Sequence, residues 1–115
     1  MNQIKTLIID DEWLIRSELK TMLMQYPNIE VIGEAANVVE ATKLFKKQKP
    51  DLVFLDIHMP GGSGFDFLDR VNGEFKLVFI TAFDQYLPKA RKFRAFDYLM
   101  KPIGKDKLSK VIQKL

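Results

Sequence analysis

The sequence predicts an α/β fold: a parallel sheet with helices packed on both faces. Two observations predict it. Short apolar runs bounded by turn residues alternate five times with longer stretches whose apolar residues recur at helical spacing. The central runs, DLVFLD (51–56) and KLVFITA (76–82), are almost unbroken in apolar residues, which suits strands covered on both sides. Crossovers between successive parallel strands are expected to be short and right-handed.

The elements follow in order. KTLIID (5–10) is a β-branched run and reads as a strand. EWLIRSELKTMLMQY (12–26) places Leu14, Ile15, Leu19, Met22, Leu23 and Tyr26 at helical spacing, and Pro27-Asn28 ends that helix. IEVIGEA (29–35) alternates apolar and polar residues, as an edge or half-buried strand does. NVVEATKLFKKQK (37–49) starts on Asn37 as an N-cap and carries Val38, Ala41, Leu44 and Phe45 on one face. After the third strand (51–56), Ser63 to Val71 reads as a helix with Phe65, Phe67 and Leu68 inward. After the fourth strand (76–82), Asp84 is expected to cap a helix running to about Arg94. FDYLM (96–100) is a fifth strand, and Gly104 to Leu115 a fifth helix.

At 115 residues, with 47% hydrophobic and 29% charged side chains, the chain fits one globular domain, read as residues 1–115. There are no cysteines, which excludes disulfides and thiolate metal sites. The N-terminal apolar run is too short for a signal peptide, and no stretch approaches the roughly 18 apolar residues that span a bilayer. A cytoplasmic location without membrane contact is the expectation. The last helical pattern reaches Leu115 with no stop signal, so that helix is expected to be cut short and a further domain to follow. The net charge of +3 is uneven: residues 1–88 hold 9 basic and 13 acidic side chains, residues 89–115 hold 9 basic and 2 acidic ones. The basic end either attracts an acidic partner or is a solvated helix face.

Chemistry in such a sheet sits beyond the carboxyl ends of the strands. The first strand delivers Asp10, Asp11 and Glu12 there, the third Asp56, the fourth Thr81 and the fifth Lys101-Pro102. Asp10, Asp11 and Asp56 cannot all be ionised side by side without a cation. A hard divalent ion resolves the repulsion; Mg²⁺ suits a few carboxylates, waters and phosphate oxygens, and with one histidine and no cysteine Zn²⁺ is disfavoured. The competing reading of Asp10-Asp11 is a helix cap that turns the chain into solvent. Lys101 supplies a counter-charge and Thr81 a short donor; alone, each also reads as an ordinary surface lysine or strand-end threonine. Together these are parts for holding a phosphoryl group, with Asp56 as the nucleophile of an acyl phosphate.

The acidic pair after the first strand, FLDIHMPGGSG around Asp56, ITA after the fourth strand and DYLMKP after the fifth make the whole chain resemble the receiver domain of bacterial two-component response regulators. The resemblance implies a flavodoxin-like (βα)5 doubly wound sheet of strand order 2-1-3-4-5. It implies that a sensor histidine kinase phosphorylates Asp56, with Mg²⁺ held by Asp11, Asp56 and the backbone carbonyl of His58, and Asp10 assisting through water. It further implies that Thr81 and Lys101 contact the phosphoryl group, that Lys101-Pro102 is cis, and that Tyr98 is a switch aromatic rotating as Thr81 moves inward. The fourth helix, fifth strand and fifth helix would be the readout surface and a homodimer face. ITAFDQYLPKARKFRAFDYLMKPI resembles receivers joined to LytTR-type DNA-binding domains, so DNA would be met only through an output domain beyond this chain. The implied function is a signalling switch in transcription regulation, not an enzyme with a turnover substrate. Pro88 puts the length of the fourth helix in doubt. The ring of His58 is expected to point away from the site, leaving only its carbonyl in use. A flavin- or nucleotide-binding protein is disfavoured because DDEW after the first strand repels phosphate. A phosphatase with an Asp nucleophile is disfavoured because position 58 is His and not a carboxylate.

Overall fold

The computed structural model describes residues 3–115; the first two residues of the expected domain lie outside it. The five apolar runs form β1 (Ile4–Ile9), β2 (Ile29–Ala35), β3 (Leu52–Asp56), β4 (Lys76–Thr81) and β5 (Asp97–Met100). All neighbouring strands pair in parallel, in the order β2-β1-β3-β4-β5, as the resemblance implies. Between them run α1 (Trp13–Leu23), α2 (Val38–Gln48), α3 (Gly64–Arg70), α4 (Leu87–Arg91) and α5 (Lys105–Gln113).

Strand alternation sorts the core into two layers. Leu7, Ile9, Val53, Leu55, Leu77 and Phe79 point to one face and meet α2, α3 and α4 through Phe45, Phe67 and Ala90. Ile8, Leu52, Phe54, Val78 and Ile80 point to the other and meet α1 and α5 through Leu19, Leu23, Leu108 and Val111. Every residue of β3 is buried, which explains why its sequence shows no alternation. β2, at the sheet edge, has mostly half-buried residues, and its register against β1 slips between Thr6 and Leu7.

Two caps fix helices beside the site. The Asn37 side chain accepts the Glu40 N–H at 2.9 Å, so the expected N-cap of α2 is present. Ser63 and Asp66 form a reciprocal capping box at the start of α3.

The fourth helix departs from expectation. Residues 84–86 form a single 3-10 turn and α4 proper spans only five residues, with Pro88 in its first turn. Proline has no N–H to donate and its ring clashes with the carbonyl one turn earlier, so a regular helix cannot start at Asp84 and run through it; in the first turn of α4 it is tolerated. Asp84 does not cap: the turn starts from Phe83, and the Asp84 carbonyl accepts the Leu87 N–H instead. Beyond α4 the chain passes through Arg94 at φ 54, a left-handed residue that ends the helical path before β5.

Candidate functional site

The carboxyl ends of the strands bring the predicted residues together. Asp10 follows β1 and its backbone N–H is held by the Ala35 carbonyl of β2 at 3.0 Å. Asp56 is the last residue of β3, registered opposite Ile80 of β4. Thr81 ends β4, and its carbonyl accepts the Lys101 N–H at 2.9 Å. Asp10, Asp56 and Thr81 are buried, while Asp11 is half-buried at the mouth. One oxygen each of Asp10, Asp11 and Asp56 lies within 4.8 Å of the others.

Lys101 reaches across β4 into this cluster. Its Nζ stands 2.8 Å from Asp10 Oδ2, 3.3 Å from Glu12 Oε1 and 3.5 Å from Asp56 Oδ2. Asp10 Oδ2 and Asp56 Oδ2 are nonetheless buried without an aligned hydrogen bond. The ammonium is close enough to attract both charges, and Asp10 is the nearer of the two. Asp10 is fixed through its other atoms: Oδ1 accepts the Glu12 N–H at 2.8 Å, and its carbonyl accepts from Arg16 Nη1 at 2.7 Å. Arg16 is oriented in turn by Glu34 at 3.1 Å.

The electrostatics follow from this crowding. Burial pushes the Asp56 carboxyl up to about 7, and the neighbouring Asp10 and Asp11 charges push the same way, while Lys101 opposes them. Burial also raises Asp10, more than the Lys101 contact and the Glu12 N–H bond lower it. For Lys101, burial alone lowers the ammonium, but Asp10, Asp56 and Glu12 together outweigh it and hold it above the usual lysine range.

An all-oxygen donor set with two orphaned buried carboxylate oxygens fits a hard divalent cation. A bound ion would satisfy those oxygens and remove the mutual repulsion in one step.

The remaining predicted residues take different positions. Thr81 Oγ1 accepts the Phe83 N–H at 3.0 Å and lies 3.3 Å from the Phe83 carbonyl, so its hydroxyl is engaged with its own loop. Tyr98 is half-buried and stacks on Phe79 of β4, with centroids 6.1 Å apart. The Lys101-Pro102 peptide is cis. The His58 ring packs at the rim of the site, with its centroid 5.5 Å from Phe83 and its Nδ1 3.4 Å from the Tyr86 hydroxyl.

Sequence reasoning placed Glu12 at this edge without giving it a role, and it missed Arg16 and Gly64. A Cβ on Gly64 would lie 2.6 Å from the Asp56 carbonyl oxygen, and the Gly64 N–H donates to the Ile57 carbonyl at 2.8 Å. The glycine lets the start of α3 sit directly on the chain that carries Asp56. Its neighbours in GGSG disguised it, because Gly61 has nothing within 4 Å.

The chain has relatives among known proteins. The transcriptional regulatory protein BtsR of Salmonella typhi is 46% identical over 114 residues, covering 97% of this chain and 48% of that protein. The sensory transduction protein LytT of Enterococcus faecalis is 45% identical over 111 residues, covering 94% of this chain and 46% of that one. The chain thus spans about half the length of the curated relatives it matches. The response regulatory domain of mrkE from Klebsiella pneumoniae superposes with a TM-score of 0.87 at 29% identity, covering 96% of this chain and 93% of that one. Among the described residues, no helix is long and apolar enough to cross a membrane. Residues 6–113 match the family model for the response regulator receiver domain, and the chain belongs to that family of two-component signalling switches.

Proposed function

We propose that Asp56 is the phosphoacceptor of this receiver, and that Asp10, Asp11, Asp56 and the His58 carbonyl hold Mg²⁺. The observation that carries the reading is the pair of buried carboxylate oxygens, Asp10 Oδ2 and Asp56 Oδ2, left without aligned partners beside a buried ammonium. An unmet polar requirement inside a protein points to a ligand that meets it.

The phosphoryl donor is a phosphohistidine of a sensor kinase. An Asp56 carboxylate oxygen attacks phosphorus in line; the new O–P bond forms as the P–N bond breaks, and the electron pair leaves with the imidazole. Mg²⁺, when bound, neutralises charge on the transferring group. Lys101 supports one phosphoryl oxygen and Thr81 Oγ1 donates to another after leaving Phe83. The inward shift of Thr81 frees space along β4, and Tyr98 turns toward it from its stack on Phe79. The α4-β5-α5 surface then changes shape and favours a homodimer or an output contact. That surface carries Lys89, Arg91, Lys92 and Arg94, all exposed. The name of the matched transcriptional regulatory protein BtsR supports an output in transcription; the output acts in the cytoplasm through a DNA-binding domain outside this chain. The fragment itself should bind no specific DNA sequence.

The test is incubation with acetyl phosphate, with and without Mg²⁺, followed by mass spectrometry of the intact chain and its peptides. The reading requires a Mg²⁺-dependent phosphoryl adduct on the peptide containing Asp56, absent from Asp56→Asn. An adduct that persists in Asp56→Asn sinks it.

A further inference from the structure

Three carboxylates surround the Lys101 ammonium, and they are not equivalent. Asp10 and Asp56 are buried at strand ends, and Asp10 Oδ2 is the nearest of the three at 2.8 Å. Glu12 is the outer partner: Lys101 Nζ donates to Glu12 Oε1 at 3.3 Å. Yet the Glu12 side chain is 58% accessible, against 10% for Lys101. Its backbone is pinned, because it is the N-cap of α1 in extended conformation and its N–H is held by Asp10 Oδ1. Its carboxylate accepts from no other residue among the described ones, and the side chain contributes no cap bond to α1. So its root is fixed, its carboxylate can swing into solvent, and its one engagement is the ammonium that the chemistry needs.

We propose that Glu12 is a removable internal occupant of Lys101, competing with the phosphoryl group for the ammonium. The inference rests on the reading of Asp56 as phosphoacceptor. Lys101 has three donors. A phosphoryl group on Asp56 adds oxygens on the side that Lys101 faces and brings negative charge toward Glu12. Asp10 is retained by its backbone contacts, so Glu12 is the ligand that must yield. In the resting protein it holds Lys101 upright over the pocket; once displaced, it leaves Lys101 to the new anion. Glu12 is therefore a positioning residue that sets how readily the site accepts a phosphoryl group.

The test uses beryllofluoride with Mg²⁺ as the phosphoryl probe and Mg²⁺ alone as the control, in a double-mutant cycle. Glu12→Gln should tighten beryllofluoride binding by roughly 2–5-fold, the size expected of a mostly exposed ion pair. Mg²⁺ affinity should change by less than that. The gain should vanish when Glu12→Gln is made in a Lys101→Met background. In the resting protein, the NMR shift of the Lys101 ε-methylene should move in Glu12→Gln without any ligand added. An unchanged or weaker affinity in Glu12→Gln overturns the proposal and leaves Asp56 untouched as acceptor. An equal gain in the Lys101→Met background also overturns it, since the effect would then be general charge repulsion. A parent protein that takes no beryllofluoride overturns both readings together.

Discussion

Asp10, Asp56 and Lys101 leave β1, β3 and β5 and converge within 3.5 Å of one ammonium, whereas Thr81 leaves β4, between β3 and β5, with its hydroxyl turned to Phe83. The first group is fixed before any ligand arrives. Its members sit on paired strands, its burial is nearly complete, and its geometry is over-determined by backbone contacts. The second belongs to a segment with a 3-10 turn and a five-residue helix, joined to the rest by side-chain packing. One region holds crowded charge, the other a hydroxyl already engaged in its own loop. The anion-repelling charges are built in and crowded together, while Thr81, the donor of the proposed mechanism, rests in a local turn that this mechanism requires to open. A receiver needs both: a pocket whose chemistry is ready and a sensor whose position reports occupancy.

The largest expected effect tests the tension on the rigid side. Asp56 ionises less readily in the folded chain, about pH 7, than at its ordinary 3.8. A raised carboxyl contributes fully to stability below the ordinary value, and that contribution is lost as pH rises through the folded value. The groups facing it are Asp10, Asp11 and Lys101. Without Mg²⁺, Asp56→Asn should therefore be more stable than the parent at pH 8, by up to about 4 kcal/mol, and the gain should shrink as pH falls from 7 toward 4. Urea titrations at pH 8 and pH 5 measure it, and an equal stability at pH 8 would mean that the pocket is not strained.

Relief by a cation comes next. Mg²⁺ at about 100 times its dissociation constant should stabilise the parent by about 2.7 kcal/mol. Asp11→Ala should lose most of that shift in a thermal melt, and in metal-free buffer it should be at least as stable as the parent, because it removes one of the charges crowding Asp56. Gly64→Ala follows, at about 1–3 kcal/mol of destabilisation, because its Cβ meets backbone that cannot move aside. Gly61→Ala, at φ 78 with open space around it, should cost about 1 kcal/mol from conformation alone. If the two glycine variants melt alike, the close seat of α3 on Asp56 is not a constraint.

The smallest effect belongs to the Thr81 side. Thr81→Val removes the hydroxyl that accepts the Phe83 N–H and should cost about 1 kcal/mol. It should slow acyl phosphate formation, while Thr81→Ser retains most of the rate. A Thr81→Val variant with an unchanged rate would confine the site to its rigid half.

Much of this was legible in the chain. Two-sided burial wrote itself into VFL and LVFI, so the central strands and the delivery of Asp56 and Thr81 to one edge could be read directly. Asn37 was legible because an N-cap is a local interaction between a side chain and the third N–H beyond it. The helical spacing over 84–94 reads as one helix longer than α4, because it ignores that Pro88 bars a regular helix from starting at Asp84 and that Arg94 turns left-handed, and Asp84 resembles a cap only if a regular helix follows. Gly64 and Arg16 were not legible. Their roles depend on contacts with Asp56 and Asp10 that only the folded sheet brings near. The aromatic packing of His58 against Phe83 and Tyr86 joins two loops 25 or more residues apart in sequence, and no local pattern announces it.

The contrast between a finished pocket and a waiting donor is tested most directly by the structure of this protein with Mg²⁺ and beryllofluoride bound. Beryllium should be bound to an Asp56 carboxylate oxygen, with Asp10, Asp56 and Lys101 keeping their backbone positions. Thr81 Oγ1 should leave the Phe83 N–H to face the fluoride. A complex in which Thr81 still accepts from Phe83, or in which β1 and β3 move while β4 stays, would contradict it.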